Sequence, residues 1–242
     1  MLTKFYQRET YDLLVLYHMG QLENSIHFIF DKKTKECAIV DPAWEADLFL
    51  EIIKEKGYKL TQIWLTHWHL DHTNATDELV EKTGCEVKIG KNGLQYLQVA
   101  ADLTLFTDNE KFIFGETKVK IIETSGHSFG GICYILSDDI FVGDTLFVYG
   151  AGHCSLPGGN IVDFYHTMQK IKYAVPDNVF LRCGHNYGDK ITTTMAEQKQ
   201  YNAYLLLETQ DDFVNFVEKM SRGLVNYPTS RAYKNEILQS IV

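Results

Sequence analysis

Apolar positions along the chain fall into two groups of strands, each followed by helix. Leu13, Leu14, Val15 and Leu16 make a β-rich run within 11–17, and Ile26, Phe28 and Phe30 alternate onto one face of 25–30. Cys37-Ala38-Ile39-Val40 reads as a third strand, stopped by Asp41-Pro42, and the three predict a meander. Over 45–56 the period becomes helical: Leu48, Phe49, Ile52 and Ile53 share a stripe that Gly57 ends. Gln62-Ile63-Trp64-Leu65 is a short buried strand, and a helix opens within 74–80. Strands return at 119–122, 131–136 and 140–142, the last two as a hairpin around Ser137-Asp138-Asp139. Asn160 is a suitable N-cap for a helix over 161–172, and 179–181 is a further strand. Thr194-Met195-Ala196-Glu197 is a capping-box pattern, and Phe213, Phe216, Val217 and Met220 recur at helical spacing. The expected architecture is an α/β sandwich of two packed sheets flanked by helices. It has a main domain over 1–188 and a small helical appendage over 189–242.

Composition narrows the class. With 242 residues and 45% hydrophobic content, the chain can fill one full core. A net charge of −9 makes nucleic acid a poor partner, and the partner expected is a small-molecule substrate. The five cysteines (Cys37, Cys85, Cys133, Cys154 and Cys183) are odd in number and include no Cys-x-x-Cys pair, which predicts free thiols in a reducing compartment. The N-terminus lacks an apolar signal core, and no apolar run reaches the roughly 20 residues that span a bilayer, so the expectation is a soluble, cytoplasmic protein away from membranes.

The chemistry concentrates in Thr66-His67-Trp68-His69-Leu70-Asp71-His72, which places four metal-ligand side chains in six positions just past a strand. Three imidazoles and a carboxylate suit borderline divalent ions such as zinc or iron. Three further segments share one design, a strand-like stretch, a glycine and then a ligand residue: Gly126-His127, Gly143-Asp144 and Gly184-His185. Each alone is weak, because a lone Gly-His or Gly-Asp is usually a loop or a turn. In this order, and with the first cluster, they predict a metal site.

At these seven positions the chain resembles the metallo-β-lactamase superfamily over roughly 11–188. Gly143-Asp144-Thr145-Leu146-Phe147 and Gly184-His185-Asn186-Tyr187 look most like its glyoxalase II branch, the hydroxyacylglutathione hydrolases. The resemblance implies an αββα four-layer sandwich with the site at the sheet edges. It implies two divalent ions, zinc first with iron or manganese as alternatives. One would be held by His67, His69 and His127 and the other by Asp71, His72 and His185, with Asp144 bridging. Such a pair lowers the pKa of a water between the ions, making hydroxide available to attack a carbonyl. The expected reaction is hydrolysis of a thioester such as a hydroxyacylglutathione, with Asp71 and Asp144 as the catalytic carboxylates. No serine or cysteine nucleophile is expected, and Cys154 and Cys183 read as ordinary thiols.

Two departures bear on the substrate. Many glyoxalase II-like proteins carry Gly-Cys-Gly-Arg where this chain has Gly150-Ala151-Gly152-His153, and the stretch 154–169 contains no Lys or Arg. Glutathione has two carboxylates that favour nearby cations, which Lys199, Arg222 or Arg231 in the tail could supply. The tail is also shorter than the helical domain of long-form glyoxalase II. A rival reading is a persulfide dioxygenase, whose C-terminal segment Thr194-Met195-Ala196-Glu197-Gln198 and Asn202 resemble. It would hold one iron at His67, His127 and Asp144. A lactonase and a non-catalytic binding module are further alternatives. Asp41 is either a turn former before Pro42 or a residue that orients a ligand. His18 and His27 read as structural, and His166 as a surface residue of its helix.

Overall fold

The computed structural model describes residues 2–241, which build two sheets face to face with helices on both outer surfaces. The first sheet runs in chain order through β1 (Leu2–Gln7), β2 (Tyr11–Met19), β3 (Asn24–Asp31), β4 (Glu36–Val40), β5 (Lys59–Trp64), β6 (Glu86–Gly90) and β7 (Leu103–Phe106). It is antiparallel from β1 to β4 and parallel from β4 to β7. The second contains β8 (Lys111–Phe114), β9 (Thr117–Glu123), β10 (Ile132–Ile135), β11 (Asp139–Gly143), β12 (Phe180–Cys183) and the short β13 (Thr193–Thr194). Its strands are antiparallel except where β12 lies parallel to β11. The expected meander is β2–β3–β4, and the expected hairpin is β10–β11 with Tyr134 opposite Phe141.

The helices are α1 (Ala46–Glu55), α2 (Leu70–Thr73), α3 (Thr76–Thr83), α4 (Ile161–Ala174), α5 (Met195–Tyr201), α6 (Ala203–Leu206), α7 (Gln210–Ser221) and α8 (Lys234–Ser240). Asn160 caps α4 through its side chain, which accepts from the backbone N–H groups of Val162 and Asp163. No described helix is long and apolar enough to cross a membrane.

Side-chain alternation sorts the strands into three apolar layers. Leu13, Val15 and Tyr17 of β2 point between the sheets, where they meet Trp64, Ile121, Tyr134 and Phe141. Trp64 stacks on Tyr134 at 5.2 Å there. Leu14 and Leu16 point the other way, joining Ile26, Phe28 and Phe30 against Phe49 and Ile53 of α1 and Leu79 of α3. On the far side, Ile122, Ile140, Val142 and Leu181 pack on Phe164, Met168 and Ile171 of α4. Tyr204, Phe213 and Phe216 of the last fifty residues share that same apolar cluster. The result is the four-layer αββα sandwich.

Several elements were not anticipated. β1, β6, β7, β8 and β13 lie outside the strands the sequence predicts, and the second half of the ligand cluster is a helical turn, α2.

A polar knot crosses the second sheet. The fully buried Asp139 accepts hydrogen bonds from Arg8 Nε (2.8 Å), Tyr11 Oη (2.7 Å) and Arg182 Nε (2.7 Å). Arg182 also lies over the ring of Tyr6, 4.2 Å from its centroid. Asp139 thereby ties together the β1–β2 turn, β2, β11 and β12.

Candidate metal centre

Four strands of the two sheets end at one edge, and each delivers part of the site. β5 leads into Thr66 and His67, and His69 caps α2, whose first turn carries Asp71 and His72. β9 runs to His127, β11 to Asp144 and β12 to His185. Gly143 takes φ +50°, and a Cβ there would collide with the Thr66 hydroxyl. A Cβ at Gly184 would collide with Asp144 and His72. Both positions need glycine because backbone and ligand side chains approach so closely.

All seven expected residues come together. His67, His69 and His127 bring ligand nitrogens together in one group, and the Asp71 carboxylate joins nitrogens of His72 and His185 in a second; within each group the ligand atoms lie within 4.8 Å of one another. His67 Nε2 and His127 Nε2 lie 3.0 and 3.1 Å from His69 Nδ1. His72 Nε2 lies 3.2 Å from His185 Nε2. Asp144 sits between the groups, its carboxylate 3.4 Å from both His72 Nε2 and His185 Nε2 and 3.7 Å from His127 Nε2.

The outward nitrogens are pinned by hydrogen bonds, which orients the inward ones. His127 Nδ1–H donates to the His153 carbonyl (2.7 Å), and His185 Nδ1–H donates to the Leu22 carbonyl (2.8 Å). His72 Nδ1–H donates to Asp41 Oδ2 (3.1 Å). The Thr66 hydroxyl donates to Asp41 Oδ2 (2.6 Å), so it is left to accept from His67 Nδ1–H (3.0 Å). In four of the five rings the inward nitrogen therefore carries a lone pair when the ring is neutral. Lone pairs 3 Å apart repel unless a cation lies between them. Asp144 Oδ1 and His69 Nε2 are buried with no hydrogen-bond partner, which adds unspent donor capacity. This donor set fits metal ions.

The electrostatics agree. Burial lowers the pKa of His67, His127 and His69, the last to about 4. Burial also opposes charge on His185 and His72, but Asp144 and neighbouring carboxylates outweigh it, lifting His185 to about 9 and His72 well above its usual value. Burial disfavours a charged Asp144 in turn, and His185 and His72 overcome it to hold the carboxyl far below the usual range. A proton at these rings does the work that a metal does when bound.

Asp41 combines both of its expected readings. It turns the chain before Pro42 with φ +50°, and it accepts from Thr66 N–H, Thr66 Oγ1 and His72 Nδ1. Its atoms also fall close to His67 and His72. Because its oxygens already accept these three hydrogen bonds on the outer side of the rings, it orients ligands.

Asn24 was missed in the sequence. It is buried, and its Nδ2 donates to the Asp71 carbonyl (2.9 Å) and to Asp71 Oδ2 (3.2 Å). Its Oδ1 accepts from Trp44 Nε1 (2.8 Å). Asn24 thus fixes the one site carboxylate that lies on a single helical turn. No motif marks it, since 47 positions separate it from Asp71.

The site opens into a cavity of about 760 Å³, with His69, Asp71, His127, Asp144 and His185 on its wall. None of the three expected tail cations lines it. Lys199 pairs with Asp177, Arg222 with Glu218 and Arg231 with Glu197. All five cysteines are free thiols, and burial raises the pKa of each, Cys133 and Cys154 to about 12, so none is poised as a nucleophile. His27 is buried in β3, its pKa lowered to about 3 by burial first, and His18 and His166 are exposed.

The family model described as "Metallo-beta-lactamase superfamily" matches residues 20–171. The chain is 33% identical over 206 residues to the "Probable polyketide biosynthesis zinc-dependent hydrolase BaeB" of Bacillus velezensis, covering 84% of this chain and 92% of that one. It is 38% identical over 161 residues to a "Hydroxyacylglutathione hydrolase" of Rhizobium etli, covering 66% of this chain but only 60% of that enzyme. The crystal structure of ETHE1 from Myxococcus xanthus superposes with a TM-score of 0.76 at 25% identity, over 91% of each chain.

Proposed function

The chain belongs to the metallo-β-lactamase superfamily, and from that premise we propose that it is a metal-dependent hydrolase that cleaves acyl thioesters. The carrying observation is the clustering of all seven ligand-type side chains, five of them on the cavity wall, with the outer nitrogens of His67, His72, His127 and His185 already hydrogen-bonded. In this reading His67, His69 and His127 hold one ion, Asp71, His72 and His185 hold a second, and Asp144 serves both. Zinc is the favoured metal, supported by the zinc-dependent hydrolase similar over most of its length. Ions bound there supply an acidified water and a Lewis acid for the carbonyl oxygen.

The chain's own groups do the rest. Hydrolysis forms a C–O bond at the carbonyl carbon and breaks the C–S bond, and one water proton ends on the departing sulfur. Asp71 faces the cavity, and Asn24 fixes its Oδ2, so it is placed to hold that proton in passing. Phe147, Tyr187 and Tyr227 supply aromatic wall beside the site. The test is release of free thiol from acyl thioesters by zinc-loaded protein, read with a thiol reagent. Turnover that disappears on chelation and returns with zinc is the expected result, and no turnover by fully loaded protein would count against the reading.

Asn24→Ala frees the Asp71 carboxylate. It is expected to weaken retention of one ion by roughly 10- to 100-fold, as removal of groups that orient ligands does elsewhere. Competition with a graded chelator measures this directly. Unchanged retention would show that Asp71 does not need Asn24.

A second reading, a persulfide dioxygenase with one iron, is supported by the overlap with ETHE1 over nine-tenths of both chains. It predicts oxygen consumption by iron-loaded protein given glutathione persulfide, and its absence would remove it.

A further inference from the structure

Away from the ligand-type residues, the walls of the metal-site cavity offer apolar surface and, among ionisable carboxylates, only Glu23. Leu22, Phe147, Leu156, Tyr187 and Tyr227 form much of that wall, and Leu22, Leu156 and Tyr187 each leave more than two-fifths of their surface exposed. Apolar surface left facing a concave site waits for an apolar occupant. The two tyrosines add rings, because their hydroxyls are engaged within the protein. Tyr227 Oη donates to the Ala151 carbonyl (2.8 Å) and accepts from Ala151 N–H (3.1 Å). Tyr187 stacks on His185 with planes 5° apart, and its hydroxyl reaches the Leu22 carbonyl at 3.4 Å.

Apart from the ligand-type residues, the ionisable side chains of the wall are Glu23, His153 and the two tyrosines, and no described Lys or Arg lines it. The tail cations are committed to other carboxylates. A substrate carboxylate in this cavity would face Glu23 and find no guanidinium or ammonium to pair with, which is costly.

We infer that the cavity selects thioesters whose acyl chain is apolar and whose thiol arm is uncharged, so glutathione is not the thiol it recognises. The inference rests on the thioester-hydrolase reading for its chemistry and on the wall for its specificity. Leu22, Leu156 and Tyr227 are the specificity-determining residues, and Leu156 can be exchanged without disturbing the core because it stands at the rim.

The test separates binding from turnover. Calorimetry on the metal-loaded enzyme compares two thioethers that cannot be hydrolysed, S-hexyl-N-acetylcysteamine and S-hexylglutathione. The uncharged ligand is expected to bind about tenfold more tightly, the cost of an unpaired polar group. Lengthening its alkyl chain should tighten binding by roughly fourfold per methylene until the cavity is full. Leu156→Lys should narrow or reverse the preference by supplying the missing cation, with metal content unchanged. Equal or tighter binding of S-hexylglutathione by the unaltered protein would overturn the inference. Loss of turnover with every thioester, alongside an intact preference for the uncharged ligand, would remove the hydrolase reading and leave the apolar site standing.

Discussion

Asp144→Ala is expected to lower thioester hydrolysis by at least about 100-fold, because losing even a group that only orients a metal ligand costs on the order of 10- to 100-fold. Asp144 is the one carboxylate within ion-pair distance of both histidine groups, 3.7 Å from His127 and 3.4 Å from His72 and His185. Without it, the two groups lose the anion that offsets their shared positive charge, so metal per chain should fall as well. The fold should survive, because the hydrogen bond that Asp144 gives the neighbouring loop comes from its backbone carbonyl, which accepts from Gly152 N–H at 2.8 Å. Steady-state kinetics, metal content and circular dichroism on the same preparation read all three effects. Activity within tenfold of the unaltered protein would sink the shared-carboxylate role.

The second large effect concerns stability. Asp139→Ala is expected to destabilise the protein by about 3–5 kcal/mol, because it strands Arg182 in the interior without its counter-charge. For a chain of this size that lowers the melting temperature by roughly 6–20 °C. Arg8 and Tyr11 lose the same acceptor, so the β1–β2 turn loosens together with β11 and β12. The effect should depend on pH. Burial opposes charge on Asp139, but Arg8, Arg182 and Tyr11 overcome it and hold the carboxyl below its ordinary value of 3.8. A carboxyl with a depressed folded-state pKa contributes fully above its unfolded value and loses that contribution as pH falls through the folded one. The gap between the two proteins should therefore be widest near neutrality and close below about pH 3.8. Melting curves from pH 3 to 7 on the order of one unit apart would show it, and a gap that does not depend on pH would contradict the ionic account.

Much of the site was legible because its signal is local. His67, His69, Asp71 and His72 fall within six positions, and His127, Asp144 and His185 each follow a glycine at a strand end. The groups that hold those ligands in place were not legible. Asn24 is 47 residues from Asp71, and the Leu22 carbonyl is 163 from His185, so only the folded chain brings them together. For the same reason the tail cations misled: Lys199, Arg222 and Arg231 were available by composition, but their partners are Asp177, Glu218 and Glu197.

In the fold, strong periodicity carried β2, β3, α1 and α4. β8 has only four residues, too few for alternation to register, and β1 is an edge strand whose side chains are mostly exposed. α2 is hidden because it is a single turn of four residues, two of them the site residues Asp71 and His72, so no apolar stripe marks it.

The measurement that tests the central claim most directly is elemental analysis of the purified protein, giving metal identity and ions per chain. Two ions per chain, zinc or mixed, falling to one or none in Asp144→Ala, is the result expected of a site in which seven side chains hold a metal pair. A single iron per chain, with Asp71 and His185 replaceable without loss of metal, would contradict it.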